Sequence, residues 1–280
     1  MTQLAALRRK IAQRLSKVSE TADLDTQVLL AHILDKPRVW LIAHPEAPLT
    51  QPQLASIEEA VSRLEAGEPL PYVLGHWSFY GLEFEVTPDV LIPRPETELL
   101  VERALGWLTA HPSRRVIADV GTGSACIAIA LAVHQPEARL IATDISAQAL
   151  EIARRNGSRH NVAGRIEFVH CDLLPGEKSR FDLICANLPY IPTATLRRLT
   201  VYEHEPALAL DGGADGLAMI RRLLKMAPTR LFPGGMMLLE IEASQGMAVL
   251  SLAYDYFHAA KISLSKDLAG HDRLLQIELL

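Results

Sequence analysis

The residues best suited to chemistry lie in two short segments, each closing an apolar run. In the first, Asp119 is followed by Gly121, Thr122, Gly123, Ser124 and Ala125, between apolar stretches at 116–120 and 126–133. Glycines between a strand and a helix let the backbone turn sharply and approach a ligand with no Cβ in the way. Asp144 stands 21 residues beyond Gly123, at the end of the next apolar run, where a carboxylate can accept hydrogen bonds from ribose hydroxyls. In the second segment, Asn187, Leu188, Pro189 and Tyr190 follow the apolar run 182–186.

Each segment selects a ligand class. A dinucleotide fingerprint needs a third glycine at position 126, where this chain has Cys126. Asp119 opposes a pyrophosphate and suits a cation. S-adenosylmethionine, with a sulfonium, an ammonium and no phosphate, meets those conditions. Alone, the two glycines would mark only a tight turn. Asp119, Asp144 and a third strand ending in Cys171-Asp172 add weight to the reading. Asp172 either accepts the adenine amino hydrogen or caps a turn.

The tetrapeptide suits an amide or aromatic amino nitrogen, whose delocalised lone pair makes it a poor nucleophile. The Asn187 side-chain oxygen and the Leu188 carbonyl can accept its two N–H groups and favour pyramidalisation. Pro189 stiffens the turn, and Tyr190 offers a face to a planar group. Catalysis would then come from positioning and electrostatics rather than from a strong base. The bland alternative for Asn187 and Pro189 is an Asx turn followed by proline.

Hydropathy patterning predicts the elements that carry these segments. Residues 1 to about 70 read as helices over 4–18, 24–34, 39–43 and 54–64, with Asp23 and Thr50 as candidate caps. They form a small bundle, since none is long enough to stand alone. Arg8, Arg9, Lys10, Arg14 and Lys17 with no acid could indicate a transit peptide. The helical period of Leu4, Leu7, Ile11 and Leu15 favours a first helix instead. Over 71–98, aromatic and β-branched runs at 72–74, 77–80 and 82–86 predict a hairpin, followed by a connector stiffened by Pro93 and Pro95. From 99 to 280, strands alternate with helices. That pattern predicts an α/β domain with a parallel sheet, closed by an antiparallel pair at 261–265 and 274–279.

Composition narrows the function. The 280 residues carry 28 Lys+Arg and 33 Asp+Glu, a net charge of −5, which argues against broad, charge-driven nucleic-acid binding. No apolar run approaches a bilayer span. Cys126, Cys171 and Cys185 form no paired motif, and the ten histidines show no ligand spacing, so neither disulfides nor a metal site is expected. A reducing, cytoplasmic setting fits.

Asp119 to Gly123 followed by Asn187 to Tyr190 resembles methyltransferases that modify amide or exocyclic amino nitrogens. Further segments resemble the HemK/PrmC family of protein-(glutamine-N5) methyltransferases: the helical leader, GEPLPY at 67–72, LIPRPETE at 91–98, YEHEP at 202–206 and GHDR at 270–273. The resemblance covers nearly the whole chain. It implies a Rossmann-like class I methyltransferase sheet behind an N-terminal helical bundle that docks the substrate. It also implies a glutamine of peptide chain release factors as the methyl acceptor. Gly121 to Ala125 and Asp144 would hold S-adenosylmethionine, joined by Asp119, Asp172 and Leu173 from the reading of the residues; Asn187 to Tyr190 would hold the glutamine, with Asn187 beside both ligands. The enzyme would be a cytoplasmic monomer acting in translation termination, with no stable nucleic-acid or membrane contact.

Two departures bear on the site. Leu188 replaces the usual first proline and should loosen the loop, and Leu173 replaces an aromatic, so the adenine contact there should be aliphatic. Glu203 and Glu205 either shape the peptide mouth or form a solvated turn. Arg94 and Glu96 either order the cofactor loop or make a structural ion pair. Two other functions compete with glutamine methylation: N6-adenine methylation of DNA or RNA, and a non-catalytic binding module.

Overall fold

Five helices open the chain: α1 (Leu4–Leu15), α2 (Ala22–Leu34), α3 (Arg38–Ala43), α4 (Gln51–Glu65) and α5 (Leu70–Leu74). The computed structural model describes residues 3–280 as two units, one ending at His76 and the other spanning Trp77–Leu280. In the first unit, Leu4, Ile11 and Leu15 line the buried face of α1, each contributing about 1.5–3 kcal/mol. Arg14 joins α1 to α4 through Glu58 and Glu65 at 2.8 and 2.7 Å. Thr50 opens α4 with a capping box shared with Gln53. Asp23 does not cap α2; it lies in the first turn, and Thr21 holds the N-cap position.

One predicted element differs. Residues 72–74 form part of α5 rather than a strand. Pro71 sits in the first turn of α5, where a missing N–H costs nothing, and Gly75 ends the helix at φ +76°. The hairpin is therefore β1 (His76–Phe79) and β2 (Leu82–Glu85) alone. The first unit also extends to His76, past the expected limit near residue 70.

The second unit continues with α6 (Glu98–Ala110), β3 (Val116–Val120), α7 (Cys126–His134), β4 (Arg139–Asp144), α8 (Ala147–Arg159), β5 (Ile166–His170) and β6 (Phe181–Ala186). Short helices α9 (Thr193–Leu196) and α10 (Ala207–Leu210) precede α11 (Ala218–Met226), β7 (Leu231–Glu240), α12 (Gly246–Tyr256), β8 (Ala260–Lys266) and β9 (Asp272–Leu279). The strand order is β5-β4-β3-β6-β7-β9-β8. Pairing is parallel from β5 through β7 and antiparallel for β7–β9 and β8–β9. β7 begins five residues earlier than its apolar run, because Pro233, Gly234 and Gly235 mask the strand pattern and a register shift marks its pairing with β6.

Both sheet faces are covered. One core contains α6, α7 and the hairpin residues Phe79 and Phe84; the other contains α11 and α12. β3 is flanked by β4 and β6, so the chain builds the sheet outward from one side of β3 through β5 and then from its other side through β6. The crevice outside the carboxyl ends of these strands is where open α/β sheets bind ligands.

Candidate active site

The first loop is held from beneath. Asp119 is fully buried at the end of β3, where its Oδ2 accepts the Thr122 hydroxyl at 2.5 Å and the Ala128 N–H at 3.1 Å. Thr122 N–H donates to the Thr143 carbonyl at 2.8 Å, and Gly123 N–H to Asp144 Oδ2 at 2.9 Å. Gly121, Gly123 and Ala125 have φ of +71°, +54° and +64°, so the turn uses three left-handed residues before α7 begins at Cys126. Ser124 is buried, and its carbonyl accepts the Asn156 amide at 3.0 Å. Only Gly121 of this loop is openly exposed.

Burial dominates the electrostatics here. It raises the Asp119 carboxyl to about 6 against the donors Thr122 and Ala128, with nearby Asp144 adding to the rise. Asp119 Oδ1 has no hydrogen-bond partner. Among these contacts the carboxylate holds the loop through Oδ2, and Oδ1 is left to act through its field. Burial also raises the Asp144 carboxyl, opposed by the N–H groups of Ser146 and Gly123. Asp144 Oδ1 accepts the Ser146 N–H at 2.9 Å, and each oxygen retains a lone pair.

The expected adenine residues diverge. Asp172 is exposed and paired with Arg222 at 2.5 Å. Leu173, at φ +63°, turns its side chain into the core, and its carbonyl accepts the Thr143 hydroxyl at 2.6 Å. The apolar side chain presented beside Asp144 is Ile145, 51% exposed at the end of β4. Sequence reading missed it, although an isolated apolar residue directly after the acid was its signal.

The second loop packs against the first. Leu188 is 3% exposed, and its Cδ2 lies 3.1 Å from where a Cβ on Gly121 would stand. Leucine thus anchors the loop by burial where a proline would have stiffened it, so the expected loosening is offset. Asn187 Nδ2 donates to the Thr97 hydroxyl at 3.1 Å, and Gln245 Nε2 donates to the Tyr190 carbonyl at 2.9 Å. Tyr190 is half-buried, and desolvation raises its phenol.

The LIPRPETE segment positions this loop. Glu205 is buried; one oxygen accepts the Ile92 N–H at 3.1 Å and the other pairs with Arg94. Of the open alternatives, Arg94 makes a structural ion pair, and Glu205 is its buried partner rather than a solvated turn. Thr97, at the end of the same segment, is 2% exposed. Glu240, at the end of β7, is 1% exposed, and neither of its oxygens has a hydrogen-bond partner. Thr97, Glu240 and Gln245 were not legible as site residues, because each reaches Asn187 or Tyr190 only through tertiary contact.

Comparison with known proteins agrees with this geometry. Residues 6–75 match the PrmC N-terminal domain, and residues 96–202 match the methyltransferase small domain. A release factor glutamine methyltransferase of Coxiella burnetii is 40% identical over 270 residues, covering 95% of each chain. That of Moorella thermoacetica is 43% identical over 256 residues, covering 91% of this chain and 90% of the relative. The chain belongs to the release factor glutamine methyltransferase family.

Solved structures agree on the fold alone. A methyltransferase from Pyrococcus furiosus superposes with TM-score 0.52 at 19% identity, covering 82% of this chain and 98% of that one. The T. thermophilus 16S rRNA N2 G1207 methyltransferase, solved with AdoMet and guanosine, gives TM-score 0.52 at 20% identity, covering 73% and 50%. No helix among the described residues is long and apolar enough to cross a membrane.

Proposed function

We propose that this protein transfers a methyl group from S-adenosylmethionine to the side-chain amide nitrogen of a glutamine in a peptide chain release factor. The observation that carries the reading is the Asn187 amide. Its Nδ2 is taken by Thr97, which leaves Oδ1 as an acceptor, while the Asn187 backbone carbonyl lies 3.8 Å from where a Cβ on Gly121 would stand.

The residues of the first loop fit the cofactor. The exposed Gly121 backbone, the Asp144 lone pairs and the apolar Ile145 suit the ribose and adenine, and the orphaned Asp119 oxygen supplies negative field for a cation. Bound there, S-adenosylmethionine supplies an electrophilic methyl on a sulfonium whose departure leaves a neutral thioether. Asn187 Oδ1 and the Leu188 carbonyl accept the two N–H groups of the glutamine amide and aim its lone pair at the methyl. Those two acceptors would keep the amide nitrogen in place while it takes up the methyl and its displaced proton passes to water. Holding the reactants in line can lower such a barrier by about 7–11 kcal/mol. We assign the release-factor contact to the helical unit, where α3 exposes Val39 and Ile42. The protein would work in the cytoplasm.

The test is incubation with methyl-labelled cofactor and a purified release factor, followed by mass spectrometry located to one residue. A single methylated glutamine is expected. Labelling that persists after that glutamine is changed to alanine, or that moves to adenine in added nucleic acid, would overturn the assignment.

A further inference from the structure

Glu240 is the one carboxyl among the described residues with both oxygens buried and unpartnered. Its neighbours are the Thr97 hydroxyl and the Tyr190 phenol, which face it without meeting hydrogen-bond geometry. Arg273 on β9 favours its charged form, and Glu96, two residues before the connector meets α6, opposes it. Cys126 on α7 also feels the Glu240 charge. Of these groups only Thr97 also touches the Asn187 amide, at 3.1 Å.

We propose that Glu240 is a positioning residue that acts through Thr97 to set which end of the Asn187 amide faces the substrate. Ionised, Glu240 can only accept. A small side-chain rotation lets it accept the single Thr97 O–H hydrogen bond, so the Thr97 lone pairs receive Asn187 Nδ2–H and Oδ1 faces outward. Protonated, Glu240 donates to Thr97 instead. Thr97 then donates its O–H hydrogen bond to Asn187 Oδ1, the amide turns over, and the substrate loses an acceptor. Burial raises the Glu240 carboxyl to about 7. Turnover should therefore fall as pH falls through that region.

This inference rests on the glutamine-methylating reading for its kinetics but not for its spectroscopy. Glu240→Gln should lower kcat about tenfold at alkaline pH, leave cofactor affinity within about twofold, and remove the acidic limb of the rate profile. Thr97→Val should match it, Thr97→Ser should restore turnover, and the Glu240→Gln/Thr97→Val double variant should be no slower than the slower single variant. In cofactor-free protein, the Asn187 side-chain amide resonances should titrate near pH 7 in the natural protein and stay fixed in Glu240→Gln.

Effects that multiply in the double variant, an acidic limb kept in Glu240→Gln, or Asn187 resonances that ignore pH would each overturn the proposal. Should Glu240→Gln not fold, the Thr97→Ser and Thr97→Val pair and the natural protein's titration decide it. Absent turnover with an intact Asn187 titration would refute the assigned reaction and support the Glu240 linkage.

Discussion

Asn187 and Asp144 end different strands, and their side chains have different work left to do. Asn187 has one end of its amide fixed by Thr97, and the other end remains for an acceptor molecule. Asp144 already holds Gly123 and Ser146, so it combines a loop-forming role with the ribose contact proposed for it. Replacing Asn187 with alanine should lower kcat by about 10²–10³, the effect of losing one preorganised polar contact at a reacting group, with cofactor affinity nearly unchanged. Asp144→Ala should instead weaken the cofactor about tenfold or more, since a charged hydrogen-bonding group is lost and the turn loosens. Calorimetry for cofactor binding and steady-state methylation separate the two, and exchanged phenotypes would refute the roles.

Elements fix what those residues can do. The glycine turn and the Asn187 loop lie at the ends of the adjacent strands β3 and β6, and Leu188 fills the space over Gly121. Gly121→Ala therefore meets two penalties, a left-handed φ of +71° and a contact at 3.1 Å with Leu188. A loss of about 1–2 kcal/mol in urea denaturation is expected, with cofactor affinity and turnover falling together. At this scale, sequence reading succeeded where one local rule decides. The strands 116–120 and 181–186 are mostly apolar and mostly buried, each with one aspartate, and turn residues follow them; α4 starts at a capping box. It failed at 72–74, where an aromatic and a β-branched side chain suggested a strand but Pro71 and Gly75 frame one helical turn. It was blind to Thr97 as a partner of Asn187, because 90 residues separate them and no local pattern encodes the meeting. Asp172 and Leu173 show the converse. Their place after a strand was legible, but a surface arginine and the core claim their side chains.

At the scale of the whole molecule, the site carries an electrostatic load. Burial pushes Asp119 to about 6 and Glu240 to about 7, from ordinary values of 3.8 and 4.5. Each binds a proton more readily folded than unfolded. Their contribution to stability is therefore full below about pH 4 and is lost as pH rises through the folded values. The carboxyls lowered by partners, such as Asp211, Asp215 and Asp267, change stability only in more acidic solution. Cofactor-free protein should thus be less stable at about pH 8 than at about pH 5, by roughly 2–4 kcal/mol. Glu240→Gln should flatten the upper part of that decline. Urea midpoints across the range test this, and stability that rises with pH would contradict it.

The seat of Leu188 over Gly121 also constrains how such an enzyme can change its target. A swap of the tetrapeptide aimed at a new nucleophile moves a side chain that supports the turn proposed to bind the donor. Retargeting by substitution at 187–190 alone should therefore erode methyl-donor affinity, and a successful specificity switch should need compensating changes at 121–125.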